Sequence, residues 1–160
     1  ASRIDENRKN FSYNTFITTG VSKEISLNYS PYNHYYTKFV SDLCKSDTII
    51  IIGYSFNDEH INRCLSSFLK ITKKKKIIIV DYQKELSQSP FLMDDIITNI
   101  HIALNYDLEM FNHNEYIDIN NGNKFGWIYP QVLFYNNGYE NFLNDYKEVL
   151  SSYSDSIYTV

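Results

Sequence analysis

The sequence predicts an α/β fold in which a parallel sheet is flanked by helices. Two continuous apolar runs, at 48–52 and 77–80, do not alternate between apolar and polar residues, which is typical of strands buried on both faces in the middle of a parallel sheet. Residues 57–70 lie between them and carry apolar side chains at helical spacing. Two buried strands joined by one helix form a crossover that makes the strands parallel. At 160 residues the chain has the length of a single domain.

The first third of the chain contains one clear helical pattern. Residues 1–15 are polar and have no period, which indicates a loop or an arm, and residues 16–19 fit a short strand. Ser30-Pro31 marks a turn or a helix start. Apolar residues then recur at i, i+3, i+4, i+7 and i+8, and they predict an amphipathic helix over 32–45.

The first apolar run leads into a tight turn and then into a helix. Gly53 ends the run, and its missing Cβ permits a sharp turn or the close approach of another group. Ser55 and Asn57 are good N-cap residues, and Asp58 and Glu59 suit a first helical turn because they complement the helix dipole. In open α/β sheets ligands bind beyond the carboxyl ends of the strands, where this turn is expected to lie.

Residues 90–124 show shorter patterns. Pro90 starts a short helix that we expect to end near Thr98, and residues 100–104 fit a third strand. Residues 105–124 are polar and rich in Asn, which predicts an irregular segment with a tight turn at the Asn-Gly pair 121–122.

The C-terminal segment combines a bulky apolar stretch with a last helix. Residues 127–135 are mostly apolar, but Pro130 has no N–H to donate and argues against a central strand there. After Gly138, apolar residues at helical spacing predict a helix over 140–151.

Composition and charge narrow the classes of function. The net charge of −4 gives no general reason to expect nucleic acid or an anionic membrane as a partner. The four lysines at 73–76 could bind phosphate or nucleic acid, but a solvated turn near a helix C-terminus is the favoured interpretation. No stretch is long and apolar enough to span a membrane, and no signal peptide opens the chain. Cys44 and Cys64 lie on apolar helix faces, and we interpret them as small buried hydrophobes in a reducing, cytoplasmic compartment.

The sequence shows neither a glycine-rich phosphate loop nor a metal-ligand spacing. Its five glycines are scattered, and none of its four histidines has a partner at the spacing of a zinc site, so we expect no metal. Asp58, Glu59 and His60 could form an acid/base cluster, although acids at a helix start are common for dipole reasons alone. The same acids would repel a phosphate, so a dinucleotide would present a ribose or base to this turn.

Asp81 is the second candidate for a binding residue. It directly follows the second apolar run, one crossover after the Gly53–Ser55 turn. An acid at the end of a strand next to a nucleotide-binding turn often accepts hydrogen bonds from ribose hydroxyls. The two features together predict a nucleotide site at the ends of these strands.

The stretch from Asp47 to Asn62 resembles the signature of bacterial SIR2-like proteins. It consists of an apolar strand, then Gly-Tyr-Ser-Phe, a polar residue, Asp58 and a helix, and its placement is similar to the Gly-Thr-Ser turn of the sirtuins. The preceding helix and the strand that ends at Asp81 follow the same order, so the specific match covers 35–82.

The resemblance implies a Rossmann-like NAD-binding domain, and bacterial members of the family often act as NAD hydrolases in anti-phage defence by depleting NAD. It implies that NAD is the substrate, that Gly53 and Ser55 contact its ribose and phosphate region, and that Asp81 takes the adenosine ribose. The residues that it places at the cofactor are Gly53, Tyr54, Ser55, Phe56, Asp58 and Asp81. It also implies a homo-oligomer and a trigger in the form of a phage protein or an accessory domain.

The chain departs from the family pattern at its start. A Gly-x-Gly-x-Ser segment, a catalytic asparagine and the histidine of a His-Gly pair precede this region in the family, and they are missing here. We therefore expect the C-terminal half of a SIR2-like domain, inactive alone, with one bare sheet edge or face that the missing half covers. Two alternatives stay open: a non-catalytic nucleotide sensor or interaction module of the same fold, and a nucleic-acid-binding domain.

Overall fold

The computed structural model describes residues 30–82 and 95–155. The chain divides into two compact units, residues 1–39 and residues 40–160. The loop and the short strand that the sequence predicts before residue 20 lie outside the described residues.

The first described helix, α1, runs over Tyr32–Lys45. It begins directly after Pro31, whose carbonyl accepts hydrogen bonds from the backbone N–H groups of His34 and Tyr35 at 3.1 and 3.3 Å. The predicted helix over 32–45 and the helix start at Ser30-Pro31 are therefore confirmed.

The described part of the second unit continues after α1 with strands and helices. In chain order they are β1 (Thr48–Ile52), α2 (Glu59–Ile71), β2 (Lys76–Val80), α3 (Asp95–Leu104), a 3-10 turn (Leu108–Met110), α4 (His113–Asn120), β3 (Phe125–Tyr129), β4 (Val132–Tyr135) and α5 (Gly138–Asp155). The helices predicted for 57–70 and 140–151 are confirmed as α2 and α5.

Within residues 30–82 and 95–155, four strands form one open, mostly parallel sheet in the order β1-β2-β4-β3. β1 pairs with β2 in parallel, with Ile50 opposite Ile78, and β2 pairs with β4 in parallel, with Ile78 opposite Leu133. β3 pairs with β4 in the antiparallel direction. The predicted α/β fold with a parallel sheet is confirmed, and the strand–helix–strand unit β1-α2-β2 has the parallel arrangement that a crossover requires. The architecture is Rossmann-like.

Helix α5 packs on one face of this sheet. Its Phe142 and Val149 join a core cluster with alternate residues of the two central strands, which are Ile78, Val80, Leu133 and Tyr135. Ile77 and Ile79 alternate with these residues along β2, so they point to the other face, and they are also buried, at 0% and 1% exposure. β2 is therefore a strand buried on both faces, as its continuous apolar run predicts.

β1 differs from the sequence prediction of a strand buried on both faces. It lies at one end of the described sheet, and Ile50 and Ile52 are 45% and 48% exposed. By register these two residues share the sheet face of Ile78 and Val80, which α5 covers. Four consecutive isoleucines show that a strand tolerates burial on both faces, but they do not show how far the neighbouring helix reaches.

The predicted third strand at 100–104 is wrong, because these residues form the second half of α3. Ile96, Ile97, Ile100 and Leu104 follow helical spacing and are buried, and α3 packs against α2. The predicted helix from Pro90 falls partly outside the described residues, and it does not end near Thr98. Helix α4 was also missed in the polar 105–124 segment, whereas the turn at 121–122 is confirmed.

The expectation that Pro130 excludes a central strand is wrong as well. Pro130 and Gln131 form the tight connection between β3 and β4, so the proline interrupts neither strand. Gln131 also fixes this corner to the end of α2, because its Nε2 lies 3.1 Å from Leu69 O and 2.7 Å from Lys75 O. β4 can therefore lie between β2 and β3 as a fully buried strand.

The lysine run is only half solvated. Lys73 and Lys74 are exposed, but Lys75 and Lys76 are 6% and 7% exposed. Lys75 Nζ donates to the carbonyls of Cys44 and Ser46 and pairs with Asp47, while Lys76 Nζ lies 4.4 Å from the Trp127 ring centroid. The run therefore stabilises the start of β2 and leaves two lysines for any anionic partner.

The interpretation of the cysteines as buried is wrong, because Cys44 is exposed and Cys64 is half-buried, and neither forms a disulfide. Among the helices of the described residues, none has the length and apolar character needed to cross a membrane.

A partly exposed chain of hydrogen-bonded side chains, Lys124, Asp145 and Tyr135, joins α5 to the sheet. Hydrogen bonds from Lys124 and Tyr135 hold the pKa of Asp145 below its ordinary value. A carboxyl group whose pKa falls on folding stabilises the protein above the pKa of the unfolded chain and loses that contribution as the pH drops through the folded pKa. We expect the wild-type melting temperature to fall more steeply than that of Asp145→Asn below about pH 4. Asp118→Asn, at an exposed acid of α4, is the matched control, and identical acid limbs for Asp145→Asn and wild type would contradict this role.

Candidate functional site

The ends of three parallel strands meet at one edge of the sheet, where backbone hydrogen bonds join them. The N–H of Gly53, directly after β1, donates to Val80 O at 3.1 Å. The N–H of Asp81, directly after β2, donates to Tyr135 O at 3.0 Å, and Asp81 O accepts from Gly138 N–H at 2.9 Å. These bonds bring the turn after β1, Asp81 and the start of α5 together in the position where open α/β sheets bind ligands. This region is called the carboxyl edge.

Gly53 adopts a backbone conformation that favours glycine. Its φ is +59°, in the left-handed region that costs an L-residue roughly 1–2 kcal/mol. A Cβ added to Gly53 would meet no atom of the described residues within 4 Å. The turn therefore needs glycine for its backbone angle, and the space in front of it is open to a ligand.

The loop after Gly53 is held against α2 by two side chains. Tyr54 Oη lies 2.9 Å from Asn62 Oδ1 and 3.1 Å from Asp58 O, and Asn62 Nδ2 donates to Phe56 O at 2.7 Å. Phe56 has φ +59° although it is not glycine, and its side chain is 4% exposed. Such a conformation costs about 1–3 kcal/mol, and it persists because the buried ring and the Asn62 bond fix it.

Asp58 is the N-cap of α2. Its Oδ1 accepts from the backbone N–H of His60 at 3.2 Å, so the expectation that Ser55 or Asn57 caps this helix is wrong. Burial raises the pKa of Tyr54, and the nearby Asp58 carboxylate adds to that effect, while the bond to the Asp58 carbonyl opposes it. The hydrogen bonds of the Tyr54 and Asp58 side chains and the buried ring of Phe56 therefore hold the loop to itself and to α2.

Ser55 and Asn57 are the exposed side chains of the described loop. Ser55 Oγ accepts from Asn57 Nδ2 at 3.2 Å, and the Ser55 carbonyl accepts from Asn99 Nδ2 of α3 at 3.3 Å. The amide of Asn99 therefore fixes the backbone at Ser55 while the hydroxyl faces outward. A hydroxyl in this position can both donate to and accept from a polar ligand.

Asp81 is half-buried at the end of β2. Its Oδ1 accepts from the backbone N–H of Tyr82 at 2.7 Å, which fixes the carboxylate beside the strand end. An ionised carboxylate has about four acceptor sites, so this bond leaves capacity for hydroxyl groups of a ligand. Tyr82 next to it is 63% exposed and lies 3.6 Å from the position of a Cβ added to Gly138.

Two histidines of the second unit, His101 and His113, lie away from the carboxyl edge. His60 lies in the first turn of α2 and is half-buried, and His34 lies in α1. His101 Nδ1 lies 3.0 Å from Tyr129 Oη, and Tyr129 pairs with Val132 at the amino end of β4, so this histidine is at the opposite end of the sheet. Within the described residues no group of three or more His, Cys, Asp or Glu side chains could hold a metal ion.

Sequence reasoning missed two residues that shape the site, Asn62 and Asn99. Asn62 bonds the loop through both ends of its amide, and Asn99 bonds it from α3. A signal existed for Asn62, since it stands four residues after Asp58 and faces the helix start. None existed for Asn99, because 44 residues separate it from Ser55 in the chain.

Replacement of Asn62 tests how the loop is held. Asn62→Ala removes the bonds to Tyr54 and Phe56, and we expect it to lower the free energy of unfolding by about 1–3 kcal/mol because a half-buried carbonyl loses its partner. Asn57→Ala removes an exposed amide of the same loop and should stay within about 0.5 kcal/mol of wild type. Urea unfolding followed by circular dichroism measures both, and equal values for the two variants would contradict the assignment.

Comparison with known proteins gives one match. A family model described as the SIR2-like domain matches residues 9–100, which is more than half of the 160-residue chain. The matched residues include β1, the whole loop from Gly53 to Asp58, β2 and Asp81. Neither the curated proteins nor the solved structures contain a significant match to the chain.

Proposed function

Because the chain belongs to the SIR2-like domain family, we propose that it is the NAD-binding part of an NAD+ hydrolase. The observation that carries the proposal is the carboxyl edge, where the open turn at Gly53 and the carboxylate of Asp81 lie on adjacent strand ends. Domains of this family bind NAD in general, and this edge offers the polar groups that a dinucleotide needs.

Each residue has a defined part in this proposal. Asp81 accepts hydrogen bonds from the hydroxyls of the adenosine ribose, and Gly53 and Ser55 contact the ribose and phosphate region of NAD. The other three residues of the predicted site, Tyr54, Phe56 and Asp58, form the loop that presents Ser55. The acids at the start of α2 keep the pyrophosphate away from that helix, because like charges repel.

The proposed reaction cleaves the bond between nicotinamide and its ribose. The bond from C1′ to the pyridinium nitrogen breaks with both electrons moving to nicotinamide, through an oxocarbenium-like transition state. A water oxygen then bonds to C1′ and loses its proton to a base, which gives ADP-ribose. We assign the base and the water-positioning amide to a histidine and an asparagine outside residues 1–160. In a bacterial cell this reaction would deplete NAD during phage infection.

A second candidate is a nucleotide-sensing or interaction module that keeps the fold and lacks the chemistry. It is favoured by the side chains at the carboxyl edge, where the described groups, Ser55 and Asp81, are suited to hold a ligand. His101 and His113 lie near Tyr129 at the opposite end of the sheet, so neither can act on a ligand held at this edge.

Binding and cleavage separate these possibilities. We expect calorimetric titration of the 160-residue chain to show binding of NAD+ and of ADP-ribose, and no release of nicotinamide in chromatography. A form of the protein that also carries the proposed catalytic histidine and asparagine is expected to release nicotinamide from NAD+. Binding without cleavage in that protein would favour the sensor, and absence of binding to NAD+ and ADP-ribose in both forms would overturn the proposal.

A further inference from the structure

The loop between β1 and α2 is held by two different helices. From α2, Asn62 donates to Phe56 O at 2.7 Å and accepts from Tyr54 Oη at 2.9 Å. From α3, Asn99 Nδ2 donates to Ser55 O at 3.3 Å. The bond from α3 therefore reaches the loop residue that the proposed NAD site uses, while the bonds from α2 reach the residues on either side of it.

Helix α3 gives the Asn99 amide a rigid support. Ile100, directly after Asn99, is 0% exposed, and α3 packs against α2. At the end of α3, Leu104 O accepts a buried hydrogen bond from Ser66 Oγ of α2 at 3.2 Å. Leu104 follows Asn99 by about 7.5 Å along the helix axis. The packing of the two helices thus sets where the amide stands, and a group on a packed helix is placed more precisely than a group on a loop.

The Ser55 hydroxyl has a direction that depends on its backbone. Its Oγ accepts from Asn57 Nδ2 at 3.2 Å, so its own O–H can donate to an oxygen atom of a ligand. Such a bond forms only when the two oxygen atoms lie within about 3 Å, and a backbone shift of about 1 Å breaks it. A bond that fixes the Ser55 carbonyl therefore also fixes where the hydroxyl can reach.

We propose that Asn99 is a positioning residue for NAD binding, which holds the Ser55 backbone so that the Ser55 hydroxyl donates to the ribose and phosphate region of NAD. This inference rests on the proposed function, in which Ser55 contacts that region. Asn99 acts through Ser55 and does not touch NAD itself. Its contribution is preorganisation, because a loop residue that is already ordered loses less entropy when the ligand binds.

A double-mutant cycle on NAD+ binding tests this role. In calorimetric titration of the 160-residue chain, we expect Asn99→Ala, Ser55→Ala and the double variant all to bind about threefold to tenfold more weakly than wild type, because each loses the same hydrogen bond to NAD+. Asn99→Asp keeps the shape of the side chain but its carboxylate cannot donate, so it should bind as weakly as Asn99→Ala.

Asn144→Ala is the matched control. Asn144 Nδ2 also donates to a backbone carbonyl at 3.3 Å, but its partner is Glu140 O within α5. The variant removes the same kind of bond without changing the support of Ser55, so its NAD+ affinity should equal that of wild type. Thermal melting verifies that every variant is folded.

The outcomes separate this inference from the proposed function. A wild-type chain that binds neither NAD+ nor ADP-ribose would overturn the proposed function, and the positioning role with it. Wild-type binding together with losses from Asn99→Ala and Ser55→Ala that multiply in the double variant would overturn the positioning role alone. Full affinity in folded Asn99→Ala or Asn99→Asp would do the same, since the N–H donor would then be dispensable.

Amide ¹⁵N relaxation tests the positioning role without a ligand. We expect Asn99→Ala to lower the order parameter of the Ser55 amide, which reports picosecond to nanosecond motion. Phe56 should keep its value, because Asn62 still holds its carbonyl. An unchanged order parameter of the Ser55 amide in Asn99→Ala would overturn the proposal, because the Asn99 bond would then not be what orders this residue.

Discussion

Gly53→Val is expected to abolish NAD binding while the chain stays folded. A β-branched residue is a rare outlier at a positive φ such as the +59° of Gly53, so the turn must change its path. The new side chain also enters the open space before the strand end, where the ligand is proposed to lie. The strain of about 1–3 kcal/mol is smaller than the stability of a typical domain. Calorimetry with NAD+ and thermal melting measure the two effects.

A second substitution at the same position separates the backbone effect from a general loss of the turn. Asn tolerates the left-handed region far better than Val, so Gly53→Asn should keep the melting temperature closer to wild type. It should still weaken NAD binding, because its side chain also occupies the open space. Wild-type NAD affinity in folded Gly53→Val would show that the ligand does not approach this turn.

Asp81→Ala is expected to weaken NAD binding by roughly tenfold to a hundredfold, because a charge-assisted hydrogen bond is worth about 1.5–3 kcal/mol. In the natural protein the same change should raise the apparent Michaelis constant for NAD+ more than it lowers the turnover number, since Asp81 holds the substrate and does not react. Nicotinamide release at varied NAD+ concentration measures both quantities.

Two controls make the Asp81 result specific. Asp81→Asn keeps an oxygen that can accept from Tyr82 N–H, so the strand end is retained and the loss reports the charge. His60→Ala should have little effect on binding or turnover, because we assign His60 to the surface of α2. A dead His60→Ala together with a normal Asp81→Ala would mean that the site lies at the other end of the turn.

The central part of the fold could be predicted from the sequence because its signals are local. The run at 77–80 is buried on both faces, and the helix at 57–70 shows its period within a few turns. β3 and β4 could not be predicted in this way, since the position of Pro130 in a turn depends on where the two strands pair. The exposure of Ile50 and Ile52 depends on the reach of α5, which is a tertiary property.

For the candidate site, the sequence indicates which chain positions lie together but not the contacts that they make. The order of glycine, serine and the strand-end acid is a local pattern, and the backbone bonds at Gly53, Val80 and Asp81 place these residues together. The pattern does not show which loop residues are available to a ligand and which hold the loop in place. The packing of the loop against α2 decides whether the Tyr54 side chain contacts Asn62 or a ligand. The bond from Asn99 has no local signal, because it joins positions far apart in the chain.

The most direct test of the central claim is a titration of the ¹⁵N-labelled chain with NAD+ followed by amide chemical shifts. The largest shifts are expected at the carboxyl edge, in the amides of Gly53, Ser55, Asp81 and Gly138, and Asp81→Ala is expected to reduce them at equal NAD+ concentration. Shifts concentrated at the opposite end of the sheet, around His101 and Tyr129, or no shifts at all, would contradict it.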